Sequence, residues 1–257
     1  MRQVWLSHGA VAAAIAITHH RMPADRLYNT RGGWWSRTAI FGCYPTALAA
    51  IATLPLSQRR RMALVALPLC ASVALPGMVD EERLDARPRN APALAGVALA
   101  LLAADPQATA PPPSRTELLA GGALLILATP WLLAEVGVQT RGMAAPSPGE
   151  PGVDRVHVGH HEGLDGALLA LDGMALGRAP RGRLHAAYLA LMTSYGVAVA
   201  VQDAWNEQLV KRGLVPGRLP PVHRPAANRG WAAIAAGTLA TYLIFTRMNP
   251  ARSAPMR

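Results

Sequence analysis

The sequence predicts an all-α fold: a polytopic bundle of about seven or eight transmembrane helices, or six if the short ones are re-entrant. Three observations lead there. Of 257 residues, 51% are hydrophobic and 16% charged, against roughly 25% charged in an ordinary soluble domain. The apolar residues are Ala- and Leu-rich and come in eight long runs, most of them close to the ~20 residues a helix needs to cross a bilayer. The ~10-residue alternating segments of a membrane β-barrel are missing.

The runs are justified in turn. The first, 4–19, imitates a signal peptide, but Ser7-His8 interrupts it and no small-residue cleavage site follows, so it reads as a retained helix. The second and third, 38–55 and 62–79, hold Cys43 and Cys70, which read as packing residues. The fourth, 91–104, is too short for an upright span and is expected to be tilted, re-entrant or extended into its flanks. Runs 117–139, 157–177, 184–205 and 230–247 complete the set. Pro-rich stretches at 106–113, 146–151 and 216–225 read as connectors, since proline removes a donor and stops helices. With no internal repeat, residues 1–257 form one integral membrane domain.

The net charge is +10, from 25 Lys and Arg against 15 acids, and Lys211 is the single lysine. The arginines sit in short runs between apolar segments, so they read as topology signals and headgroup contacts rather than a nucleic-acid surface. With eight spans, residues 1–3, 56–61, 105–116, 178–183 and 248–257 share one side. They hold Arg2, Arg59, Arg60, Arg61, Arg115, Arg178, Arg181, Arg183, Arg252 and Arg257 against one acid, Asp105. Positive short loops mark the cytoplasm. The reading is a multi-pass cell-membrane protein with both termini cytoplasmic. Six of eight histidines, Glu135, and Asp203 to Glu207 then come to the outer face.

The run 157–177 is the most informative, because ionisable groups at membrane depth point to function. At 100° per residue, His157, His160, His161, Asp165 and Asp172 share one broad face. Gly159, Gly163, Gly166, Ala170, Gly173 and Gly177 form the opposite face, which lets a neighbouring helix approach closely. Asp154 is placed as the N-cap. The spacing His157-x-x-His160-His161 is similar to one histidine box of the membrane fatty-acid desaturases and hydroxylases. Those enzymes use several boxes to hold two irons; here one box stands beside a separate His19-His20 pair, and the match covers five residues.

A candidate site follows. His157, His160, His161 and Glu135 form a mixed donor set suited to Zn²⁺ or Fe²⁺. Glu135, Asp165 and Asp172 are the candidate acid–base groups. Tyr188, Tyr195, Gln202 and Asn206 lie on one stripe of the next helix, with Asp203 beside them, either lining a substrate cavity or bonding between helices. The expected function is a membrane-embedded enzyme acting on a lipid or isoprenoid from the outer side, either a metal-dependent hydrolase or oxidoreductase or a metal-free acid–base isoprenoid cyclase using Asp165, Asp172 and Glu135. The alternatives are a proton- or metal-ion-coupled transporter, favoured by the depth of Asp172, and a non-catalytic subunit of a membrane complex. Expected partners are membrane lipid, a lipid-like small molecule and a further subunit or second copy; nucleic acid is not among them. No Walker loop, Rossmann fingerprint, Gly-x-Ser-x-Gly elbow or rhomboid Ser–His pair is present, and the last run lacks the lysine of a retinal protein.

Overall fold

The computed structural model describes residues 1–21, 33–75, 87–105, 111–138, 144–146, 154–156, 162–210, 213–222 and 225–248. Helices dominate: α1 Arg2–Arg21, α2 Gly33–Cys43, α3 Pro45–Thr53, α4 Arg60–Ala71, α5 Ala91–Ala103, α6 Arg115–Glu135, α7 Glu162–Gly177, α8 Arg183–Asp203 and α9 Arg229–Met248. Two three-residue strands, β1 Ala144–Pro146 and β2 Asp154–Val156, pair antiparallel. Asp154 therefore belongs to a strand and pairs with Pro146; it does not cap a helix.

Among the described residues, three helical stretches are long and apolar enough to cross a membrane: Trp34–Leu56, Arg115–Glu135 and Arg183–Val210. The first joins α2 and α3 through Tyr44. Pro45 has no N–H to offer Phe41 one turn back, so the helix breaks there. The Thr46 hydroxyl donates to that orphaned Phe41 carbonyl instead, at 3.1 Å. The shorter α4 and α5 pack together and against α3. Gly96 makes this possible, since a Cβ there would lie 2.6 Å from the Cys70 backbone nitrogen. Both cysteines are buried and neither is in a disulfide.

Helix α7 is the centre of the bundle. Twelve of its sixteen residues are buried, and it packs on α1, α3, α6 and α8. Its glycine face meets α8. A Cβ on Gly166 would come within 2.6 Å of the Gly196 carbonyl, and one on Gly173 would collide with the Thr193 hydroxyl. Gly177 faces the Phe245 ring of α9. The aspartate face turns the opposite way, towards α1 and α3. The core cluster around it joins Ile15, Phe41, Trp131, Leu164 and Leu168.

The segments grouped by loop charge also meet in space. Gln58 donates to Asp105, and Arg59 to the Leu102 carbonyl. Arg178 donates to the Pro111 carbonyl and lies 3.8 Å from Glu117. These contacts gather 57–61, 102–105, 111–117 and 178 at one end of the bundle. Glu135, His19 and Arg37 lie at the other end.

Candidate functional site

Asp172 on α7 is buried, and its partner is His8 on α1. His8 Nε2 lies 2.8 Å from Asp172 Oδ2, and His8 Nδ1 lies 2.9 Å from the Thr46 hydroxyl. The break at Pro45 puts Thr46 there. One hydroxyl thus serves both the Phe41 carbonyl and an imidazole 38 positions away. Two proton arrangements satisfy these distances. When Thr46 donates to Phe41, His8 Nδ1 must donate to Thr46, and one further proton lies between His8 Nε2 and Asp172 Oδ2, as imidazolium–carboxylate or as imidazole–carboxylic acid. When Thr46 rotates to donate to Nδ1, a neutral imidazole still donates Nε2–H to Asp172. The two states differ by one proton and one hydroxyl rotation.

A second ionic group sits at the far end of α1. Glu135 is 1% exposed. Its Oε1 lies 3.5 Å from Arg37 Nη2 and its Oε2 lies 3.7 Å from His19 Nε2. Helices α6, α2 and α1 supply one residue each. A desolvated carboxylate of this kind is tolerable only with cationic company. Arg37 is itself buried.

Asp165 is buried on α7, between these two groups. It lies seven residues from Asp172, a rise of about 10 Å, while His19 lies eleven residues, about 16 Å, from His8. His8 is level with Asp172, and α1 and α7 run antiparallel, so Asp165 falls at an intermediate depth.

Asp203 has a definite task. Its Oδ2 accepts from the Gly163 backbone N–H at 2.6 Å. It thereby caps the start of α7 from a neighbouring helix, where the first N–H groups lack intrahelical partners and the helix dipole favours an anion. Tyr188 donates to the Leu48 carbonyl at 2.7 Å, and Tyr195 pairs with the Tyr44 hydroxyl. Asn206 both donates to and accepts from the Leu219 backbone. Gln202 is buried. The stripe of four is split after Gln202, where α8 widens into a π-helical stretch over Ala204–Val210. Tyr188 and Tyr195 face α3 and Tyr44, whereas Asn206 anchors the loop beyond.

His185 is likewise engaged: Nδ1 accepts from the Arg181 N–H, so Nε2–H donates to the Ala52 carbonyl, both at 2.9 Å. His157, His160 and His161 lie outside the described residues. Among the described residues, no group of three or more His, Cys, Asp or Glu side chains is arranged to hold a metal ion. No family model, curated protein or solved structure matches the chain.

Proposed function

We propose that this chain is a multi-pass cell-membrane protein of seven or eight spans, with both termini cytoplasmic, that moves protons along its buried histidine–carboxylate line. The observation that carries this reading is the His8–Asp172–Thr46 cluster. It is buried in the bundle, its hydroxyl lies within reach of both the imidazole and the Phe41 carbonyl, and its His8 shares α1 with His19 of the second group. Asp165 supplies an intermediate station. An active site confined to one membrane face has no need of a titratable pair about 16 Å further down.

The test is proton flux into liposomes carrying the purified protein and a trapped pH-sensitive dye. Under an imposed potential, the protein should conduct well above empty liposomes, and Asp172→Asn and His8→Gln should each remove most of that flux. Wild-type flux equal to the empty control, or flux untouched by Asp172→Asn, sinks the idea.

A second reading is a membrane-embedded enzyme acting on a lipid or isoprenoid, metal-dependent through Zn²⁺ or Fe²⁺. Glu135 supports it, as a buried carboxylate reached by three helices near the expected position of His157, His160 and His161. Arg37 weighs against a metal there, because it already supplies positive charge to the carboxylate. Stoichiometric metal in the purified protein, lost in Glu135→Gln and His161→Gln, would favour the enzyme.

A further inference from the structure

Helices α8 and α9 pack closely through Gly237 against Ser194, and leave a gap lined by both helices. The gap is an open groove of about 690 Å³. Leu184 and Leu191 form one wall, Ile234 and Leu239 the other, with Trp231 and Tyr242 along α9. Along α9 the groove runs eleven residues, about 16 Å at 1.5 Å per residue. That is near half the ~30 Å hydrocarbon core, the depth of one leaflet.

Its chemistry changes at one end. Arg183 lines the groove where α8 begins. The helices are antiparallel, so Arg247 in the last turn of α9 comes to the same end, and Arg181 lies two residues before Arg183. All three arginines are exposed. Gly182, the residue before α8, has no side chain to accept from the first N–H groups of that helix, and such N–H groups favour an anion. No acid occurs in α9 or between Arg178 and Val201.

We propose that this groove binds an anionic phospholipid, with an acyl chain between α8 and α9 and the phosphate against Arg183 and Arg247 at the start of α8. The occupant follows from shape and charge together. An apolar slot of leaflet depth takes a chain, and a cluster of arginines at its mouth selects a negative headgroup over a zwitterionic one. The proposal rests on the membrane reading above but not on proton movement.

The experiment uses the full chain, purified in mild detergent and exchanged into nanodiscs of equal phosphatidylglycerol and phosphatidylcholine. Lipid retained after re-extraction is counted by mass spectrometry. Wild type should retain phosphatidylglycerol preferentially. Arg183→Gln should weaken that preference roughly fivefold, and adding Arg247→Gln should weaken it further. Ala187→Trp, which fills the groove and keeps the arginines, should reduce retention of both lipids; Thr238→Trp does the same from the α9 wall if the first variant fails to fold. Equal retention of both lipids by wild type, or retention unchanged in a folded groove-filling variant, overturns the proposal. Carbonate extraction of native membranes separates the premise: release of the chain would overturn the membrane reading itself, whereas a membrane-retained chain without lipid preference overturns only the groove.

Discussion

Asp203 Oδ2 and the Gly163 backbone N–H, 40 positions apart, meet at 2.6 Å. The start of the central helix is thus held by a carboxylate from α8. A Cβ on Gly163 would come 2.8 Å from that carboxylate and 2.9 Å from the Trp131 ring, so only glycine admits this approach. Asp203→Ala should destabilise the protein by about 1.5–3 kcal/mol, the range for a hydrogen bond to a charged group. Asp203→Asn should cost less, because the amide oxygen still accepts. Thermal unfolding in detergent checks this. Equal losses in the two variants would mean the cap contributes little.

Glycines in α6 and α7 should respond to alanine with opposite signs. Gly122 has nothing within 4 Å of the position a Cβ would take, so Gly122→Ala should be neutral or stabilising by up to about 1 kcal/mol through helix propensity. Gly166→Ala and Gly173→Ala press a methyl into α8 and should cost about 1–3 kcal/mol each. The same unfolding assay reads both, and a stabilised Gly166→Ala would show that α7 and α8 do not pack this closely.

His8 and Asp172 should be strongly coupled. A double-mutant cycle with His8→Gln and Asp172→Asn is expected to give an interaction energy of about 1–3 kcal/mol. Thr46→Ser should behave as wild type. Thr46→Val should lose about 1–3 kcal/mol, since it strips a partner from both His8 and the Phe41 carbonyl. Additive single variants would show that the pair does not form.

Cysteine labelling tests the topology. Cys43 and Cys70 are 0% exposed, so native membranes should take up no maleimide at either. Gln58→Cys and Pro112→Cys lie at exposed positions of one bundle end, and Ala226→Cys at an exposed position of the other. An impermeant maleimide applied outside intact cells should label Ala226→Cys alone. Labelling of Gln58→Cys or Pro112→Cys from outside would reverse or break the predicted orientation.

Much of the helical framework was legible because apolar runs and prolines are local signals. All eight expected runs contain a helix, and the glycine face of α7 meets α8 as its spacing required. The partners of the buried charges were not legible. Asp172 finds His8 164 positions away, and no spacing rule reaches that far. One missed signal was local, however. Val4, His8, Ile15 and His19 are the buried residues of α1, and at 100° per residue His8 and His19 lie only about 20° apart. Read as a stripe, they would have marked α1 as the partner of the aspartate face. Asp154 misled because an aspartate before an apolar run resembles a cap, while its pairing with Pro146 depends on a segment eight residues earlier.

Helix α1 contributes an imidazole to each ionic group, His8 at one depth and His19 at another. A rigid rod gripped at two points cannot slide by one turn without changing both grips. Any axial movement of α1 that parts His8 from Asp172 therefore also shifts His19 against Glu135. The two ends of the bundle are tied together by one piece of secondary structure, each through an imidazole on α1.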